Sequence, residues 1–145
     1  MSANGLEVFD KTLQTTHIWL DDIMKELGPD RQVAWHVLGS VLRAIRDRLP
    51  PDLAAHLGAQ LPLLIRGAYY DRYRPSATPV TERTLDGFLT MVKADMEFTR
   101  PVDSSDAVRV VCDVIDRHID PGQAVKVWDA LPQDIRRVAH PEAAE

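Results

Sequence analysis

Shifting the chain by 70 positions lays residues 37–66 on residues 107–136 without a gap. Leu38 then falls on Val108, Val41 on Val111, Ile45 on Ile115, Pro51 on Pro121 and Ala54 on Ala124. The match closes with Leu61-Pro62 on Leu131-Pro132 and Ile65-Arg66 on Ile135-Arg136. A unit repeated at a fixed period is a packing device, because each copy buries its apolar face against the other. The expected organisation is one domain over 1–145, made of a pseudo-repeat at about 6–73, a linker at 74–80 and a second pseudo-repeat at about 81–140. Neither half alone can bury its apolar stripes, so the two are expected to fold together.

The local signals are helical throughout. Leu6, Phe9, Leu13, Leu20, Ile23 and Leu27 follow steps of three, four and seven, which predicts an amphipathic helix over 6–27 with Thr16 interrupting its stripe. Gly28-Pro29-Asp30 stops it. A second helix is predicted at about 31–48, and Pro50-Pro51-Asp52 turns the chain with Pro51 at the first position of a short third helix. Pro62 is read as opening a fourth helix through Leu63, Leu64 and Ile65. After the proline-containing segment Arg74 to Pro79, the stripe Phe88, Leu89, Val92 and Met96 matches Trp19, Leu20, Ile23 and Leu27 at a shift of 69. Asp103 or Ser104 is expected to cap the sixth helix, Asp120-Pro121 to start the seventh and Leu131-Pro132 the last. No segment alternates with period two between turn signals. The reading is all-α, a bundle of about eight helices, four per pseudo-repeat, two long and two short and proline-started.

Composition narrows the function classes. The net charge is −5 from 17 basic and 22 acidic side chains, which argues against nucleic acid or an anionic membrane as the main partner. No apolar run approaches the ~18 residues that span a bilayer. The first five residues have neither a basic flank nor an apolar core, and Cys112 is the single cysteine, so a reduced cytoplasmic protein is expected.

Two strings carry a family resemblance. Leu42-Arg43-Ala44-Ile45-Arg46-Asp47-Arg48-Leu49-Pro50 and Ala59-Gln60-Leu61-Pro62-Leu63-Leu64-Ile65-Arg66-Gly67-Ala68-Tyr69-Tyr70 are similar to the bacterial domain of unknown function family DUF2267. The resemblance covers about Phe9 to Arg137. It implies a compact all-helical prokaryotic protein and transfers no activity and no catalytic residue. The second half departs from it in the last helix, where Arg137-Val138-Ala139-His140 stands against Gly67-Ala68-Tyr69-Tyr70.

The repeat also sorts candidates, since residues shared by both halves are structural and conspicuous one-sided residues are better functional candidates. By that rule Arg66 and Arg136 each hold a neighbouring carboxylate or a helix C-terminus. The segment Arg66 to Arg74 packs three tyrosines and three arginines into nine positions of the first half only. Arg66, Tyr69, Tyr70, Arg72 and Tyr73 are therefore the candidate interaction patch, because tyrosine and arginine dominate binding hot spots. The competing readings are that the tyrosines cover the seam between halves, or that the patch takes a small anion or stacks on bases.

The five histidines are dispersed without metal-ligand spacing, and no phosphate loop, dinucleotide or nucleophile-elbow motif occurs. His17 and Asp21 share a helix face as an ordinary surface pair, and Cys112 reads as a buried small hydrophobe with a raised pKa. No catalytic residue, metal or cofactor is indicated. The expected function is a non-enzymatic protein-protein interaction module, binding a protein partner or itself. The alternative is a small-ligand-binding protein or enzyme with a pocket between the repeats.

Overall fold

Asp30 accepts from the backbone N–H of Gln32 and Val33, so the second helix begins where its first donors find a side-chain oxygen. The same device recurs at Thr84, Asp103 and Asp120, whose side chains accept from Gly87, Asp106 and Gln123. The protein, here a computed structural model, is described over residues 6–97 and 99–144, without the side chains of the last two. Among the described residues there are eight α-helices and no strand. They are α1 (Glu7–Leu27), α2 (Arg31–Arg46), α3 (Pro51–Ala59), α4 (Leu63–Tyr70), α5 (Leu85–Asp95), α6 (Ser104–His118), α7 (Pro121–Asp129) and α8 (Gln133–Ala139). Short 3₁₀ turns occupy Pro75–Ala77 in the expected linker and Pro141–Ala144 near the end.

Pro51 and Pro121 sit at the first helical position, as the turn signals require. Pro62 and Pro132 do not open their helices as expected. Each stands one residue earlier with an extended ψ, 154° and 148°, and its carbonyl accepts the first helical bond, from Arg66 and Arg136. At the end of α1, Gly28 has φ 106°, a conformation that side chains disfavour, and the Arg100 guanidinium caps the Leu27 carbonyl.

The core is built around α2 and α6, which are buried around most of their circumference. Val37, Leu38, Val41, Leu42, Ala44 and Ile45 of α2 are all fully buried, as are Ala107, Val108, Val111 and Ile115 of α6. Helix α2 packs against α1, α4, α5 and α6, while α6 packs against α1, α2, α5, α7 and α8. Each buried Leu or Ile contributes about 1.5–3 kcal/mol relative to exposure, so the fold rests on this central pair.

Helix α1 is longer than the core needs. Its buried residues are Thr16, Trp19, Leu20 and Ile23, whereas Leu6, Phe9 and Leu13 on the predicted apolar stripe are exposed. The first turns of the 21-residue helix therefore overhang the bundle, while α5, whose apolar residues match those of α1, has only 11 residues. The expectation of one buried stripe over the whole of α1 fails for that reason.

Candidate functional site

The tyrosine–arginine segment folds inward. Tyr69 is fully buried and its hydroxyl donates to the Ala54 carbonyl at 2.6 Å, pinning α4 to α3. Burial, with Tyr70 and Tyr73 nearby, raises its phenol pKa far above the usual range. Tyr69 is thus a core residue, and its assignment to a surface patch is corrected. Tyr70 is half-buried with its ring edge-on to Tyr69 at 4.9 Å, and it lies across Gly58 of α3. Tyr73 is half-buried under the Arg46 guanidinium, which stands 5.0 Å from its ring centroid. Arg66 forks onto the Leu61 carbonyl from Nη2 at 2.9 Å and from Nε at 3.3 Å, holding the backbone beyond the end of α3. Only Arg72 is largely exposed, and it faces a different depression from Arg66. The five candidates do not form one surface, because three aromatic rings on the short α4 and the turn after it are drawn into packing against α2 and α3.

Arg72 lies on the wall of a groove of about 850 Å³ between α2, α4 and α5. An ion-pair network crosses it. Asp95 of α5 accepts from Arg43 Nε at 2.8 Å and from Arg72 Nη2 at 3.2 Å. Arg43 also donates from Nη1 to the Ala68 carbonyl at 3.0 Å, and Arg46 donates to the carbonyls of Tyr69 and Asp71 at 2.7 and 2.8 Å. Arg72 adopts φ 60°, the left-handed region that non-glycine residues seldom enter, as the chain turns out of α4. Burial raises the Asp95 pKa, but the hydrogen bond and charge of Arg43, followed by those of Arg72, outweigh it and hold the carboxyl below its ordinary value.

A second, smaller cleft of about 430 Å³ lies between α1 and the α3–α4 corner. Val8, Lys11, Thr12 and Thr15 of α1 form one wall, and residues 59–63 with Arg66 form the other. Trp19 and His118 lie at its base, stacked with ring centroids 5.0 Å apart, and His118 Nε2 meets Asp22 at 2.8 Å. Val8 of α1 and Leu63 at the start of α4, on its two walls, are more than half exposed, Leu64 is exposed next to Leu63, and Leu6, Phe9 and Leu13 are exposed along another face of α1. The two elements touch where the Leu64 backbone N–H donates to Thr12 Oγ1 at 3.4 Å. This apolar surface was hidden in the sequence, where its residues read as helical stripe.

A model of the family described as uncharacterized conserved protein (DUF2267) matches residues 16–138. The chain belongs to that family. The match covers most of the chain and begins within α1, at Thr16, where burial in the core begins. The overhang of this DUF2267 protein precedes the matched residues. Among curated proteins no match is found.

Two further chemistry-bearing groups of the DUF2267 chain, Cys112 and the Asp116–Trp128–His140 cluster, are engaged in packing. Cys112 is buried in α6, and its thiol pKa is pushed up by desolvation and by Asp116 and Asp113. Asp116 accepts from Trp128 Nε1 at 2.7 Å and meets His140 Nε2 at 2.6 Å, joining α6, α7 and the residue after α8. His17 is exposed, and the α1 carboxylate that meets a histidine is Asp22, whose partner is His118 of α6. Among the described residues no group of three His, Cys, Asp or Glu side chains is placed to hold a metal ion, and no helix is long and apolar enough to cross a membrane.

Proposed function

We propose that this DUF2267 protein is a protein-protein interaction module whose contact surface is the α1 overhang and the start of α4. The observation that supports it is exposed apolar surface on both elements, Val8 and Leu63 facing each other across the cleft with Leu64 alongside, and Leu6, Phe9 and Leu13 along another face of α1. Isolated exposed apolar residues are ordinary, but a grouped apolar face on adjoining elements is the kind of surface that partners cover. Leu6, Phe9 and Leu13 at steps of three and four give the face the spacing of helix-in-groove recognition. This reading moves the contact away from the tyrosine–arginine segment.

The test is native mass spectrometry of gently purified protein, comparing wild type with a Phe9→Ser, Leu63→Ser double variant of unchanged helicity. A bound chain lost in the variant is the expected result. A complex that survives both substitutions, or a bare wild-type monomer, sinks the proposal.

A second reading, a small-ligand site, is supported by the groove between α2, α4 and α5. Its volume falls within the ordinary range for ligand sites. A Cβ on Gly67, which lines the groove, would meet nothing within 4 Å, so the helix backbone is left open to a guest. An added mass of a few hundred daltons on the purified protein would favour it.

A further inference from the structure

The small cleft beside the apolar face has a charge pattern opposite to that of the chain. The chain carries −5 overall, yet Lys11, Arg66 and His118 line the cleft and no Asp or Glu does. His118 is offset from beneath by Asp22 at 2.8 Å. Lys11 and Arg66 are not offset: among the described residues neither has a carboxylate within ion-pair distance.

The 70-residue shift sharpens the point for Arg66. Its counterpart Arg136 faces the Asp129 carboxylate at 3.9 Å. The position matching Asp129 is Ala59, which offers Arg66 only a backbone carbonyl at 3.5 Å. Arg66 spends Nε and Nη2 on carbonyls, which leaves Nη1 uncommitted on the cleft side of the α3–α4 corner. One half of the molecule supplies this arginine with an internal anion and the other half omits it.

We infer that the cleft receives the carboxylates of an acidic amphipathic segment of a partner protein, whose apolar side covers Val8 and Leu63 on its rim. The inference rests on the interaction reading above and adds the partner's chemistry. Opposite charges across an interface steer association and set specificity, and an arginine with a free edge is well suited to grip a carboxylate. Thr12, Thr15 and Gln60 add neutral hydrogen-bonding groups to the lining, which includes no carboxylate of its own; the Asp22 carboxylate lies behind His118. The apolar rim, with Val8 and Leu63 more than half exposed, matches a segment that is acidic on one side and apolar on the other.

Two synthetic probes test this on the full chain. One is an amphipathic helical peptide of leucine, alanine and glutamate, and the other its twin with glutamine at every glutamate. Backbone amide shifts of the protein report where each binds. The acidic peptide is expected to bind at least about tenfold more tightly than the twin at low salt, with shifts centred on Lys11, Thr12, Gln60 and Leu61. Lys11→Glu lies on the exposed side of α1 near its N-terminus, where an acid is compatible with the helix dipole, so this variant retains the fold. It is expected to abolish the preference for the acidic peptide.

Equal binding of both peptides at the same residues overturns the charge assignment and leaves the apolar contact standing. Binding of neither peptide, together with a native complex indifferent to Phe9→Ser and Leu63→Ser, overturns both. Sedimentation of the chain alone as a dimer dissociated by Lys11→Glu would give the cleft to a second copy and overturn the acidic foreign segment.

Discussion

The guanidinium of Arg48 lies 5.0 Å from the ring centroid of Phe88, in the interior between the end of α2 and helix α5. Arg48 is 2 % exposed, and among the described residues no carboxylate stands within ion-pair distance of it. Its Nη1 donates to the Ala44 carbonyl at 3.2 Å and to Met91 Sδ at 3.3 Å, while Nε has no partner. Burial lowers its pKa, although the fields of Asp47 and Glu82 act in the other direction. A desolvated charge with so little compensation is a weak contributor to stability. Arg48→Met is therefore expected to leave unfolding free energy unchanged or raise it by about 1 kcal/mol, whereas Arg48→Ala costs about 2–4 kcal/mol through the cavity it leaves. Urea unfolding of both variants decides it. A loss above about 2 kcal/mol in Arg48→Met would mean that the ring contact and the surrounding acids outweigh desolvation.

The position 70 residues after Arg48 is His118, and the one 69 residues before Phe88 is Trp19; these two also stack at 5.0 Å. Helix α1 packs on α6 as well as on α2, and α5 on α2 as well as on α6, so helices from before and after the 75–79 segment cover one another. Chains cut between Pro75 and Pro79 are expected to give fragments with low helicity and no cooperative melt, because α2 and α6 each lose a cover over fully buried side chains. Mixing the two fragments should restore the transition. A sharp melt from either fragment alone would defeat the shared-core proposal.

Asp95 makes a different kind of tie, accepting from Arg43 of α2 and from Arg72 after α4. The side chain of Arg43 is nearly buried and that of Arg72 mostly exposed, so the two contacts differ in worth. Arg72→Ala is expected to cost less than about 1 kcal/mol. Asp95→Asn strips Arg43 of its charged acceptor and is expected to cost about 1.5–3 kcal/mol at pH 7. The folded carboxyl titrates below its ordinary value, so its contribution is complete above about pH 4 and is lost as pH falls through the folded pKa. The stability gap between wild type and Asp95→Asn should therefore be full at pH 7 and close as pH falls from about 4 through the folded pKa. A gap of the same size at both ends would assign the effect to packing instead of charge.

The order of the helices, the starts at Pro51, Asp103 and Asp120-Pro121 and the core positions of α2 and α6 were legible in the sequence, because each depends on neighbours three or four residues away. Arg66, for which the repeat led to an expectation of a neighbouring carboxylate or a helix C-terminus, forks onto the Leu61 carbonyl beyond the end of α3. The proposed contact surface was not legible. Tyrosine and arginine have the same composition on a surface as in a seam, and nothing local says that Tyr69 points at Ala54. Nor does periodicity say where a helix outruns the bundle: Phe9 and Leu20 occupy one stripe, yet only Leu20 reaches the core. The cleft's charge depends on residues from three separate stretches, at Lys11, Arg66 and His118, which only tertiary packing brings together.

Two helical glycines should respond in opposite senses to the same substitution. Gly58 in α3 is buried beneath Tyr70, and a Cβ there would stand 2.7 Å from Cζ of that ring. Tyr70 is braced in turn against Tyr69 and Tyr73, so it cannot move away without disturbing the Tyr69 bond to Ala54. Gly67 in α4 has no atom within 4 Å of the same position. Alanine in place of a helical glycine gains about 0.5–1 kcal/mol where space allows, and overpacking costs about 1–3 kcal/mol where it does not. Gly67→Ala should accordingly raise the melting temperature by about 2–4 °C and Gly58→Ala lower it by a similar amount or more. Near-ultraviolet circular dichroism separates the causes, since only the Gly58 variant should change the tyrosine signal. Equal stabilisation by both would mean that the Tyr70 ring swings clear at little cost, and that this tyrosine is free to take part in a surface contact after all.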